Sequence, residues 1–222
     1  MRIAISGTNN QNKTQLVADI LTKWPNYTTP NTTYKDTIEQ IVSGFDNAPP
    51  EEREDIKSCD IQWKILNDML DTMQTYSEDD KVVFNRCPLD NFVYSLYLHD
   101  KEPESSGIDN EFIEKCIPIV RESMRSLDII YTVPITGAAE SDYTTEDKEI
   151  DNLFLNMFKE SQKETSTFFP GDDRPAVIEI FGSSEERLRM IEDYIDDSGE
   201  LIGGDPDWNA LIDPNLSIEN FR

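Results

Sequence analysis

Positive charge, histidine and cysteine are all scarce in this chain. Its 222 residues carry Lys+Arg 20 against Asp+Glu 45, a net charge of -25, with one histidine and 3 cysteines. The shortage of bases argues against duplex nucleic acid as a partner, because a dedicated duplex binder needs a lysine and arginine footprint along the phosphates. Cys59, Cys87 and Cys116 are widely spaced and odd in number, with no second cysteine or histidine at metal-ligand spacing. That pattern argues for reduced packing thiols and against a disulfide framework or a zinc site. The lone His99, beside Asp100 after an apolar helix pattern, reads as a helix-end residue rather than a catalyst. Long apolar runs are missing too. Met1-Arg2 is followed by only Ile3-Ala4-Ile5 before polar residues begin, and no stretch reaches the length of a membrane span. The expectation is a soluble, cytoplasmic protein with no membrane partner.

What is present is enough to fold. A hydrophobic fraction of 37% supports a core within one large domain. The charge is unevenly spread: residues 1–35 hold Arg2, Lys13, Lys23 and Lys35 against Asp19 alone, so they are net basic. Acids are densest in Glu140 to Asp173 and from Glu192 onward. Short apolar runs alternate with helix-period segments. Strands are predicted over 2–6, 81–85, 128–134 and 176–181, with a weak one over 27–29. Helices are predicted over 14–24, 35–42, 59–76, 89–98, 112–127 (bent at Pro118), 146–163 and 184–195, with a loop at 47–51. This rhythm implies an α/β chain with helices on both faces of a parallel sheet. The helix at Ser184 lacks a full capping box with Arg187, although Glu185 and Glu186 suit an N-terminus. After residue 196 periodicity is lost, leaving an acidic tail over 197–222 that is either disordered or an arm docked by Trp208.

One motif carries chemistry. Gly7-Thr8-Asn9-Asn10-Gln11-Asn12-Lys13-Thr14 lies between the first strand and first helix and fits G-x-x-x-x-G-K-[ST] at every fixed position but one. Backbone amides of such a loop surround phosphate oxygens, the lysine supplies charge to the β and γ phosphates, and the hydroxyl ligates magnesium. Asn12 stands where glycine is expected. Asparagine tolerates positive φ better than other residues with a β-carbon, so the loop is expected to keep its shape.

Three passages, Ile3–Thr14, Asn85-Arg86-Cys87-Pro88-Leu89-Asp90 and Val177–Arg187, resemble the P-loop kinases of nucleosides and nucleoside monophosphates, most nearly the small ATPase/kinase-like proteins of bacteriophages. The resemblance implies a three-layer α/β/α P-loop fold over 1–196 with about five parallel strands and a lid over about 136–175. It implies ATP and Mg2+ as cofactors and a small nucleoside or nucleotide acceptor, and it leaves a homodimer open. It assigns Lys13 and Arg86 as catalytic, and Gly7, Thr8, Asn9, Asn10, Gln11, Asn12, Lys13, Thr14 and Gln15 to nucleotide binding. The metal falls to Thr14, Asn85 and Asp90. Where the family usually has aspartate before the arginine this chain has Asn85, an amide that holds a magnesium-bound water but serves as no general base. Asp90 either replaces the carboxylate or caps its helix.

The lid stretch from Glu140 to Asp151 contains acids and only Lys148, so a lid arginine would have to come from Arg121, Arg125 or Arg174. Gln62, Trp63 and Tyr76 resemble base-recognising residues, or else pack in the core. Two functions follow. One is an ATP-dependent, magnesium-requiring phosphotransferase acting on a nucleoside or nucleoside monophosphate. The other is a nucleotide-binding module or ATPase with decayed transfer chemistry and a regulatory or protein-interaction role.

Overall fold

A computed structural model describes residues 1–31, 36–40, 56–136, 142–161, 163, 166, 168–169 and 174–202. β1 (Arg2–Ser6) leads through the glycine-headed loop into α1 (Lys13–Lys23). Then come α2 (Cys59–Gln74), β2 (Val82–Asn85), α3 (Pro88–Lys101), the short α4 (Pro103–Ser106) and α5 (Asn110–Arg125). β3 (Ile129–Thr132), α6 (Thr145–Ser161), β4 (Ala176–Glu179) and α7 (Ser184–Glu192) complete the order, and residues 36–40 are also helical. All strand pairings are parallel, in the order β2-β1-β3-β4. β1 is therefore central. Its carboxyl end lies beside the carboxyl ends of β2 and β3, where open α/β sheets place ligands.

Alternation along the strands separates two cores. Ile3 and Ile5 of β1, Val83, Ile129 and Tyr131 face α1 and α7, joining Leu16, Ile20 and Ile191. Ala4, Val82, Phe84 and Ile130 face the other way, toward Leu66, Phe92, Val120 and Phe154. Near-continuous burial of the strands is what a sheet covered on both faces requires.

The sheet has four strands among the described residues rather than about five. Tyr27–Thr29 contributes one parallel bridge, Thr28 opposite Val82, closed by Thr28 N–H to Lys81 O at 2.9 Å and Val83 N–H to Thr28 O at 2.8 Å. Pro25 and Pro30 flank it, and each lacks an amide with which to extend the ladder. α5 begins at Asn110, capped by the Asp109 carboxylate on Phe112 N–H at 2.9 Å, and continues through Pro118. α7 does have a full capping box, one residue earlier than expected. Ser183 is its N-cap, its hydroxyl accepting from Glu186 N–H while Glu186 accepts from Ser183 N–H at 2.8 Å.

The first residues past α7 lie along the amino ends of the strands. Trp24 Nε1 donates to Asp196 O at 2.7 Å, Asn26 Nδ2 to Ser198 O at 2.8 Å and the Tyr27 hydroxyl to Gly199 O at 3.0 Å. Trp208, on which the docked arm was expected to turn, lies outside the described residues, as do 41–55 and most of the segment between α6 and β4.

Candidate functional site

Local backbone makes the cradle. Gly7 has φ 131°, and a Cβ there would lie 2.7 Å from Val133 O, so the main chain just past β3 leaves room for glycine alone. Asn10 and Asn12 take φ of 62° and 53°, and Asn12 is the N-cap of α1. Asn12 thus adopts the left-handed conformation that the motif reserves for glycine. Asn10 does so as well, which the motif gave no reason to expect.

The polar side chains of the two neighbouring strand ends converge beneath this loop. Asn85 Nδ2 donates to the Thr14 hydroxyl at 2.9 Å, which brings two of the three expected metal-binding residues together. Arg86, itself at φ 81°, donates through Nη1 to Gly7 O at 3.0 Å and to Asp90 Oδ1 at 3.1 Å, and through Nη2 to Asn9 Oδ1 at 2.7 Å. The Asp90 carboxylate is 1% exposed and accepts from the Ser6 hydroxyl at 2.7 Å, Cys87 N–H at 3.0 Å and Gly7 N–H at 3.2 Å. Asp90 therefore closes the capping box of α3 and ties β1 to β2. Both of its oxygens already accept from the protein.

Lys13 is buried, and its ammonium donates to Thr8 O within the loop. Burial first, and the Arg86 guanidinium second, lower its pKa from 10.5 to about 7. The negative charge of a bound phosphate would oppose both effects and raise it again. Asp151 of α6 is buried nearby, accepting from Ile135 N–H at 3.2 Å, and desolvation raises its carboxyl to about 6. Other acids of the expected lid serve the helix. Asp147 caps α6, accepting from Thr144 N–H at 3.0 Å, and Glu149 pairs with Lys101 at 3.2 Å.

A cleft of about 810 Å³ opens over the loop. Thr8 to Gln15, Asn85, Arg86 and Asp90 form one side; Gln62, Tyr94, Glu146, Ile150 and Phe154 form the other. That size suits a nucleotide with a second small molecule. Every nucleotide-binding and catalytic residue expected from the sequence except Gly7 lines it. Of the three base-recognition candidates only Gln62 does, with its Nε2 bound to Ile56 O at 2.8 Å and its Oε1 buried without a partner. Trp63 instead packs edge-on against Phe112 with Lys115 over its ring, and Tyr76 packs edge-on against Phe84. Those two are half-buried and pack against the core, in keeping with the alternative reading. Tyr94, one helical turn beyond Asp90, is the aromatic that sequence reasoning missed.

The arginine near the loop also differs from expectation. Arg125 lies on the exposed side of α5 and pairs with Glu122 at 3.8 Å. Arg187 of α7 reaches the loop, donating through Nη1 to Gln11 O at 2.6 Å, while the Tyr143 hydroxyl donates to Asn10 O at 3.3 Å. Arg187 stood in one of the three quoted passages but had no spacing to the motif that marked it. No cluster of three or more His, Cys, Asp or Glu side chains able to hold a metal occurs among the described residues. A divalent ion fits this site only as magnesium is usually held, by a hydroxyl, an amide or its water, and substrate phosphates.

No protein-family model matches the chain, and no curated protein matches it in sequence. Solved structures do. The thymidylate kinase of Candida albicans aligns with a TM-score of 0.56 over 86% of this chain and 90% of its own, at 11% identity. The likeness is one of fold: a parallel sheet flanked by helices, with the strand–loop–helix cradle at its centre. The chain has an α/β P-loop fold, a central parallel sheet flanked by helices, that it shares with this thymidylate kinase.

Proposed function

We propose that this protein is an ATP-dependent phosphotransferase whose acceptor is a nucleoside or nucleoside monophosphate. The observation that carries the reading is the cradle: glycine at 7, left-handed asparagine at 12 and a buried lysine at 13, at the carboxyl end of the central strand. The amides of the loop and the N-terminus of α1 bind the β and γ phosphates, and Lys13 neutralises them. Thr14 and Asn85 are the residues that would hold magnesium, whose charge would offset that of the phosphates. Arg86 turns its guanidinium to the same floor, and Asp90 fixes its direction. The acceptor enters between Gln62 and Tyr94, where an unpartnered Gln62 carbonyl oxygen requires an N–H donor. Transfer with a loose transition state depends on positioning and charge more than on a base, so Asn85 in place of aspartate is tolerable.

A second reading, a nucleotide-binding module or ATPase with decayed transfer chemistry, is favoured by one observation. Arg86 is spent on the loop's own Gly7 O and Asn9 Oδ1. A screen of nucleosides and monophosphates with labelled ATP separates the two. The kinase gives transfer to one acceptor class, abolished in Lys13→Ala; hydrolysis indifferent to every acceptor identifies the module.

A further inference from the structure

The phosphate loop has lost its second glycine, and the structure steadies the loop from outside. Three of its carbonyls are held by other elements, Gly7 O by Arg86 at 3.0 Å, Asn10 O by Tyr143 at 3.3 Å and Gln11 O by Arg187 at 2.6 Å, while Lys13 and Leu16 N–H of α1 hold Thr8 O and Asn12 O. In a trans peptide the N–H points opposite the carbonyl of the preceding residue. Drawing the Gln11 carbonyl toward α7 therefore turns the Asn12 amide away from α7. Likewise, Tyr143 on the Asn10 carbonyl turns the Gln11 amide. The anchor on the α7 side is rigid: the Ser183–Glu186 capping box fixes the start of that helix, and Ile191 packs with Leu16 and Ile20 of α1. The donor is charged, and hydrogen bonds from a guanidinium are stronger than neutral ones. Gln11 and Asn12 line the cleft, whereas Arg187 is outside its lining, so its influence on a ligand passes through the loop.

We propose that Arg187 is a positioning residue of the phosphate site. From α7 it holds the Gln11 peptide so that the Asn12 amide faces the incoming phosphates, and Tyr143 does the same for the Gln11 amide. Two asparagines held at positive φ store local strain in the loop, and the clamp helps to keep them in that conformation. This proposal rests on the phosphate-loop reading above.

The test compares wild type, Arg187→Met, Arg187→Lys and Tyr143→Phe by calorimetry with magnesium-ATP and with magnesium-tripolyphosphate. Arg187→Met is expected to weaken both ligands by the same factor, about tenfold or more, with Arg187→Lys intermediate and Tyr143→Phe a few-fold weaker than wild type. The amide proton shift of Asn12 on adding tripolyphosphate, large in wild type, should collapse in Arg187→Met, which a purely stabilising residue would not cause. Should Arg187→Met fail to fold, Arg187→Lys and Tyr143→Phe carry the same comparison. Unchanged affinity in the folded Arg187 variants overturns the proposal, as does loss of ATP affinity with tripolyphosphate unaffected, since Arg187 would then contact the nucleoside. Wild-type protein that binds neither ligand overturns the phosphate-loop reading itself, and the clamp with it.

Discussion

The two ends of the central sheet treat their polar groups in opposite ways. At the amino ends, Trp24, Asn26, Tyr27 and Lys81 each spend a donor on the main chain of residues 196–199, and Lys81 adds an ion pair with Glu200 at 2.5 Å. At the carboxyl ends, three non-glycine residues adopt positive φ, a lysine is buried with its ammonium on a loop carbonyl, and Thr8 Oγ1, Gln11 Nε2 and Gln62 Oε1 are buried without partners. One end is closed by satisfied hydrogen bonds; the other holds strain and unmet polarity. Such a concentration is what a preformed anion site requires, because its donors must be desolvated and aimed before the ligand arrives.

The largest effect should come from Gly7→Ala. Its new methyl meets Val133 O at 2.7 Å in a backbone conformation that L residues avoid, so unfolding should become easier by about 2–4 kcal/mol. Denaturant melts would show this, and ATP binding should be lost in any protein that still folds. A retained midpoint would mean that the cradle is not held against β3.

Lys13 separates the two ends by pH. Its pKa of about 7 in the folded, ligand-free protein lies below the 10.5 of an exposed lysine, so between those values the unfolded chain binds more protons. This contribution therefore raises stability as pH climbs from about 7 toward 10.5, and the penalty is at its full size below 7. Lys13→Met should remove that slope and melt higher than wild type near pH 7, by about 2–4 °C for each kcal/mol recovered. Phosphates raise the same pKa, so triphosphate binding near pH 8 should take up a proton. Calorimetry in buffers of different ionisation enthalpy would detect it, and binding with no proton uptake would contradict the burial assigned to Lys13.

Tyr27→Phe tests the closed end. It leaves Gly199 O without its partner and should cost about 1 kcal/mol in thermal melts, with ATP affinity unchanged. A change in affinity would show that the two ends are coupled. The smallest effect belongs to Asn12→Gly. Relief of left-handed strain is offset by the greater chain entropy of glycine, so stability should stay within about 0.5 kcal/mol and affinity within about twofold. Asn12→Val, which resists positive φ, should behave far worse by both measures.

The alternation of β1, β2, β3 and β4 with helical segments was legible because burial on both faces demands short apolar runs, and the turn that holds Gly7, Lys13 and Thr14 was legible because it lies between an apolar run and a helix-period segment. Asn12 could be read as a left-handed position from its own chemistry, and Asn85 beside Thr14 from the order of the passages. Sequence alone left Asp90 undecided between metal and cap, since a carboxylate at that spacing suits either. Arg86 and Cys87, in the turn before α3, reach it locally, but the Ser6 hydroxyl and the Gly7 amide come from β1 and its loop, which only the parallel register brings beside it. The same holds for the separation of Gln62 from Trp63 and Tyr76, which depends on which side of α2 faces α3. Arg187 lies 176 residues from the carbonyl it holds. No local period records such a contact; it exists because α7 packs along α1, and that packing is a property of the folded sheet rather than of any segment of the chain.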